Sequence, residues 1–258
     1  MSEFVKIAVL AIVQGITEFL PISSSGHLGL AEHILGFKPP GITFEIVAHA
    51  GTLLSVLLYY RRRLATIIIQ LPQKGSDGRR EAGLLLLGFL PIAIAGLICR
   101  EHVTPLFHKP VFIAAMLIIT GLVLLTLFLP HRQRPGLGIG KALLIGMAQA
   151  LAILPGISRS GMTICLARHL GLPPQQAAEF SLLMMVPAIA GALLLQVFEV
   201  TKNGLGDLTI PMLLTTFALS AAVGYAAIAV LVKALATGHF RWFGFYCLVA
   251  GIAGLILL

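Results

Sequence analysis

Two stretches of the chain lie 135 residues apart, read nearly alike, and are polar inside otherwise apolar surroundings. The first is Gln14-Gly15-Ile16-Thr17-Glu18-Phe19-Leu20-Pro21-Ile22-Ser23-Ser24-Ser25-Gly26-His27. The second is Gln149-Ala150-Leu151-Ala152-Ile153-Leu154-Pro155-Gly156-Ile157-Ser158-Arg159-Ser160-Gly161. At this offset Gln14 falls on Gln149, Ile22 on Ile157, Ser23 on Ser158, Ser25 on Ser160 and Gly26 on Gly161. Further on, Leu35-Gly36 falls on Leu170-Gly171. A duplicated serine/glycine break inside hydrophobic helices suggests two halves of one intramembrane site.

The surroundings decide what such breaks can be. Of 258 residues, 58% are hydrophobic and 11% charged, and mean hydropathy is +0.98. A soluble domain carries about 25% charged residues. This chain has too little charge to cover a wet surface, so it is expected to be an integral membrane protein whose partner is the bilayer. The net charge is +8, but the basic residues fall in loops between apolar spans rather than on one soluble face. That pattern predicts membrane orientation and no nucleic acid. Cys99, Cys165 and Cys247 show no ligand spacing and are expected to act as small hydrophobes. No signal peptide is expected, because the N-terminus is not clearly basic and the first helix carries Gln14 and Glu18.

Residues 4–20 and 27–37 are apolar, yet each is short of the roughly 20 residues that cross a bilayer. Joined by the Pro21–Gly26 turn, they predict a re-entrant hairpin, which survives at membrane depth only when protein or a wet cavity surrounds it. Spans are expected near 44–60, 81–99 and 110–130, with a polar linker after Arg61-Arg62-Arg63 and another at 131–136. Residues 139–154 and 161–171 repeat the broken-helix pattern, and spans near 175–199, 210–234 and 241–258 follow. The expected fold is an all-α integral membrane protein with six transmembrane helices and two re-entrant hairpins. Residues 1–258 form one membrane domain, with 1–130 as the first repeat and 131–258 as the second.

Lys and Arg give the orientation. The basic loop 61–80 is placed in the cytoplasm, which puts 100–109 outside, 131–141 inside, and 200–209, with Lys202 against Asp207, outside. Lys233 and Arg241 then fall inside and residue 43 outside. The first hairpin enters from outside and the second from the cytoplasm. The two halves are thus inverted copies whose tips are expected to meet near the midplane.

Both tips carry chemistry. Gln14 and Glu18 share a helical face, and a carboxylate at this depth must be paired, metal-bound or wet. Ser23, Ser24, Ser25 and His27 follow closely; hydroxyl, imidazole and carboxylate are the parts of an activated nucleophile with its base. The same carboxylate and amide oxygens could hold Mg²⁺ or Ca²⁺, with Glu18 as the metal ligand. Alternatively, Ser23 and Ser24 only cap the next helix. The second tip places Arg159 between Ser158 and Ser160, with Thr163 following. A guanidinium suits phosphate oxygens, Gly156 and Gly161 permit close backbone approach, and helix N-termini aim donors at an anion. The substrate-binding set read from both tips is Gln14, Ser23, Ser25, Ser158, Ser160 and Thr163. Glu45 and Glu179, each beside a phenylalanine, are read either as supporting partners or as interfacial carboxylates. His49 is read as a core histidine.

At these residues the chain resembles the undecaprenyl-pyrophosphate phosphatase family, the integral membrane type linked to bacitracin resistance. The likeness covers essentially the whole chain and rests on two motifs: Gln14 to His27, and Pro155-Gly156-Ile157-Ser158-Arg159-Ser160-Gly161-Met162-Thr163. It implies removal of the terminal phosphate from undecaprenyl pyrophosphate at the outer side of the bacterial inner membrane, with a divalent cation. The product is the lipid monophosphate that carries cell-wall precursors. It also implies catalytic roles for Glu18, Ser24, His27 and Arg159. Two routes fit these residues: Ser24 attacks phosphorus while His27 moves the proton, or water attacks directly with His27 or Glu18 as base. The chain departs at Gln14, where many members carry glutamate. An amide is no base and a weaker cation ligand, which puts in question any mechanism that needs two ionised carboxylates at this tip. Inverted repeats with broken helices also mark secondary transporters, so a carrier of a polyprenyl phosphate is the competing expectation. The oligomeric state is left open, with a homodimer among the states allowed.

Overall fold

The protein is described by a computed structural model that covers residues 1–257 apart from 40–41, 130–133, 135 and 204–207. For 100, 195–203 and 257 it describes the backbone alone. All regular structure among the described residues is helical. The helices are α1 Glu3–Phe19, α2 Ser24–Leu35, α3 Thr43–Tyr59, α4 Arg61–Gln70, α5 Asp77–Val103, α6 Pro110–Leu125, α7 Ile139–Leu151, α8 Arg159–His169, α9 Pro174–Asn203, α10 Ile210–Ala236 and α11 Phe243–Leu257. Much of the expected linker 131–136, and Asp207 of the expected outer loop, lie outside the described residues.

Five stretches are long and apolar enough to cross a bilayer: Asp77–Cys99, Pro110–Phe128, Pro174–Leu194, Ile210–Ala236 and His239–Ile256. α3 and α4 form a further apolar pair bent by 74° at Tyr60. The chain is therefore an integral membrane protein. Residues 61–80, expected as a polar linker, are instead helical over their first half, where α4 runs from Arg61 to Gln70. Arginine is a good helix former, and Ile67 anchors the helix by burying its side chain. Ile68 and Ile69 stay exposed.

Lipid tails are as apolar as leucine, so helices in a bilayer associate through close packing of small residues. The chain follows that rule. A Cβ on Gly121 of α6 would lie 2.8 Å from the Gly244 carbonyl oxygen of α11, and one on Gly146 of α7 only 2.3 Å from the Gly88 oxygen of α5. α1 and α3 both pack on α10, where Ser55 donates a hydrogen bond to the Ala221 carbonyl at 2.8 Å.

The contacts pair up between halves. α1 against α10 is matched by α7 against α5, and α3 against α10 by α9 against α5. α1 against α2 is matched by α7 against α8, while α6 and α11 pack on each other. This network places the two helix breaks, α1–α2 and α7–α8, inside the bundle.

Candidate active site at the two helix breaks

Each break has a local cause. Pro21 cannot donate to the α1 ladder and forces Leu20 out of the helical region; Leu20 has ψ 145°. Ser23 then turns the chain with φ 68° and ψ 107°, the one positive φ on a non-glycine among the described residues. Such a conformation costs about 1–3 kcal/mol and gathers at functional sites. In the second break the turn falls on Gly156, with φ 94°. Thr120 of α6 pins this turn: its hydroxyl donates to the Gly156 carbonyl at 3.2 Å and accepts from the Ser158 amide at 3.0 Å.

The tips touch. The Gly156 amide donates to Ser25 Oγ at 3.1 Å, and Ser25 Oγ lies 3.2 Å from Ser23 Oγ. Arg159 Nη2 donates to Glu18 Oε1 at 2.7 Å. The other oxygen, Oε2, accepts from Ser24 Oγ at 2.9 Å and from Gln14 Nε2 at 3.0 Å. The Glu18 side chain is 2% exposed, against 25% for Arg159. Glu18 is thus a buried carboxylate held by a guanidinium on one oxygen and a serine hydroxyl on the other. The first turns of α2 and α8 begin at Ser24 and Arg159, so both positive helix ends fall where this cluster sits.

The other expected residues sort into different positions. Ser158 caps α8 by accepting from the Gly161 amide at 3.2 Å, and Ser160 Oγ lies 3.3 Å from Ser158 Oγ. Thr163 donates to the Arg159 carbonyl at 2.9 Å. These three shape the second tip from within. Capping does not account for the first: Ser23 and Ser24 offer α2 no side-chain cap bond.

His27 is joined to neither Ser24 nor Glu18. Its Nδ1 lies 2.8 Å from the Ser23 carbonyl, which can only accept, so Nδ1 carries the proton. In the neutral ring Nε2 then accepts from the Tyr246 hydroxyl at 2.6 Å, and the two rings stack at 5.6 Å.

Two neighbours were not expected. Tyr246 comes from α11, 219 residues away from His27, and nothing local in the sequence points to it. His49 was read as a core histidine, yet its Nε2 lies 3.8 Å from Glu18 Oε2. Its Nδ1 bonds the Glu45 backbone carbonyl one helical turn back at 2.7 Å, a partner that any residue at position 45 would supply. Glu179 pairs instead with Arg63 Nε at 2.9 Å, and Arg63 also pairs with Glu81. The three cysteines are unpaired. Among the described residues no group of three or more His, Cys, Asp and Glu is placed to hold a metal, so any cation here needs amide or substrate oxygens as well.

Fold and site define a helical membrane protein in which a buried carboxylate accepts hydrogen bonds from a serine hydroxyl and a guanidinium. The family described as Bacitracin resistance protein BacA matches residues 7–253, and the chain belongs to that family. It is 39% identical to an undecaprenyl-diphosphatase of Rhodopirellula baltica, covering 100% of this chain and 99% of the relative. It is 36% identical to an undecaprenyl-diphosphatase of Desulforapulum autotrophicum, over 98% of each chain. With an undecaprenyl-diphosphatase of Desulfosudis oleivorans it shares 38%, over 96% of each.

Proposed function

We propose that the chain is a phosphatase of the bacterial inner membrane that converts undecaprenyl pyrophosphate to undecaprenyl phosphate and inorganic phosphate. This reaction recycles the cell-wall lipid carrier and underlies bacitracin resistance. The observation that carries the reading is the chain Ser24–Glu18–Arg159, which links a nucleophile, a base and a phosphate-binding cation across the two tips. The names of the relatives favour this enzyme over a transporter of the same lipid.

The steps follow from the contacts. Among the described residues only one Nη of Arg159 is engaged, so the guanidinium keeps donors for the terminal phosphate. Both helix N-termini add amide donors. Glu18 already accepts the Ser24 proton in a hydrogen bond, which places the base on the nucleophile. The proton moves to Glu18 as Ser24 Oγ bonds phosphorus, and the bridging P–O bond breaks to release the lipid monophosphate. Water then attacks the phosphoserine, phosphate leaves, and Ser24 regains its proton. His27, locked between Ser23 and Tyr246, holds the turn that carries Ser24 rather than taking this proton.

A divalent cation belongs to the reading. Gln14 Oε1 is buried without a hydrogen-bond partner, and its amide is bonded to Glu18. One carboxylate, one amide oxygen and substrate phosphates form a donor set that Mg²⁺ or Ca²⁺ accepts. When bound, the cation neutralises phosphate oxygens.

We further read the fold as six crossings and two re-entrant hairpins in one domain, with 1–130 and 131–258 as inverted halves. The matched helix contacts between halves support this. The prenyl tail then lies in lipid while the diphosphate enters between the tips.

Purified protein in detergent, where no second compartment exists, tests the function. Phosphate release from undecaprenyl pyrophosphate is expected with added divalent cation and lost with chelator. A protein that binds the lipid but releases no phosphate with any divalent cation would overturn the reading in favour of a carrier.

A further inference from the structure

We propose that His49 is a ligand of the divalent cation at Glu18, its nitrogen donor, and that it turns the site's preference away from Ca²⁺. The proposal rests on the phosphatase reading above and goes beyond it in naming a ligand and a cation class. His49 stands on α3, outside both repeated motifs, and reaches the site from a third direction. Its Nδ1 lies 2.7 Å from the Glu45 carbonyl. That carbonyl can only accept, so Nδ1 carries hydrogen, and in the neutral ring Nε2 presents a lone pair. This Nε2 lies 3.8 Å from Glu18 Oε2, beyond hydrogen-bond range. Ligand bonds of about 2.1 Å place two donors on one cation roughly 3–4 Å apart. Fixing one ring nitrogen through a backbone carbonyl so that the other faces a metal is the usual arrangement of a ligating histidine.

A second observation concerns the amide bonded to the same carboxylate oxygen. Gln14 is fully buried, its Nε2 is bonded to the same Glu18 oxygen, and its Oε1 has no partner. His49 Nε2, a Glu18 oxygen and Gln14 Oε1 together offer one nitrogen and two oxygens, and substrate phosphates complete the shell. His27 does not compete for the role, because both its nitrogens are already bonded. The nitrogen sets the preference: Ca²⁺ takes six to eight oxygens at about 2.3–2.6 Å, whereas imidazole suits the transition metals. A single carboxylate with an imidazole therefore favours Mn²⁺-like cations over Ca²⁺. In the other arrangement, a protonated His49 forms only an ion pair with Glu18.

The test uses Mn²⁺ added at fixed pH to the purified full-length protein in detergent, read by pulsed electron spin resonance. Nitrogen-14 modulation from a directly bound imidazole is expected in the wild type. It should be lost in His49→Gln and kept in His27→Gln. Mn²⁺ affinity should fall about tenfold or more in His49→Gln, and the ratio of Mn²⁺ to Ca²⁺ affinity should fall with it. His49→Asn gives the same comparison if His49→Gln does not fold, as judged by size-exclusion elution and helical circular dichroism. Absence of nitrogen coupling in the wild type, or coupling that persists without His49, overturns the assignment and leaves the ion pair. Phosphate release on the same preparations separates the two claims. Hydrolysis without nitrogen coupling overturns the His49 assignment alone, whereas no hydrolysis with any divalent cation overturns the phosphatase reading.

Discussion

Glu18 is buried among the helices with a side chain 2% exposed, where an unpaired carboxylate would be costly. Arg159, Ser24 and Gln14 satisfy it, and the first two are also the groups that the proposed chemistry needs. Breaking a buried pair costs about 3–5 kcal/mol when one partner is removed; here the cost falls lower because Arg159 is a quarter exposed. In catalysis, Arg159→Ala is expected to lower phosphate release by about 10²–10³-fold, through lost charge stabilisation. Thr163→Ala lowers it by less than about tenfold, since its hydroxyl serves the α8 backbone and a neutral hydrogen bond is worth about 1 kcal/mol. Equal losses in the two variants, measured as kcat/KM on undecaprenyl pyrophosphate, would remove Arg159 from the phosphate. Ser24→Ala is expected to reduce turnover by about 10²–10⁴-fold, and rapid quenching of wild type with labelled substrate should trap a phosphoserine at position 24. Near-normal turnover by Ser24→Ala moves the attack to water, with Glu18 as its base.

At the scale of elements, the two breaks were legible because polar residues stand out in apolar runs. Pro21, Gly156 and the serines locate the turns within a residue or two. Four of the expected residues, Gln14, Glu18, Ser24 and Arg159, form one bonded cluster. His49 was not legible, because a lone histidine on an apolar helix reads as core. Tyr246 was not legible either, because its contact with His27 depends on how α11 packs. α4 was hidden by its arginines, which read as a loop although they favour a helix. The second break gives a prediction of its own. Gly156 has φ 94°, and a Cβ there would lie 2.3 Å from the Ile113 carbonyl oxygen. Gly156→Ala strains the backbone by about 1–3 kcal/mol and must also push the tip away from α6. A lower thermal midpoint is expected, with loss of most activity as the Ser25 bond to Gly156 opens. Gly26→Ala makes a useful contrast, since its Cβ would meet only side-chain atoms at ordinary contact distances, the Ile113 Cγ2 at 3.4 Å and the Ser23 Oγ at 3.9 Å. It should melt within a few degrees of the wild type, and matched losses in the two variants would show that backbone conformation is not what Gly156 supplies.

At the scale of the whole molecule, the inverted halves proposed above would account for the meeting of a carboxylate from residue 18 with a guanidinium from residue 159. A hairpin entering from one side presents its tip at mid-depth, and only a second hairpin from the other side brings its own helix N-terminus to the same point. If both hairpins entered from one side, their N-terminal helix ends would lie side by side rather than opposed, and the exchange of contacts between α1–α10 and α7–α5 would have no cause. Membrane sidedness tests this directly. In a variant with Cys99, Cys165 and Cys247 replaced by alanine, single cysteines are introduced at Lys38, Lys74, Lys109 and Thr237. Lys38 follows α2, Lys109 lies between α5 and α6, Lys74 precedes α5, and Thr237 follows α10. With an impermeant maleimide on intact cells, positions 38 and 109 should label, while 74 and 237 should label only after permeabilisation, as the basic loops require. Labelling of 38 together with 74 from the outside would place both ends of α3 on one face. The first half could then not be the inverted copy of the second, and the meeting of Glu18 with Arg159 would need another topology to account for it.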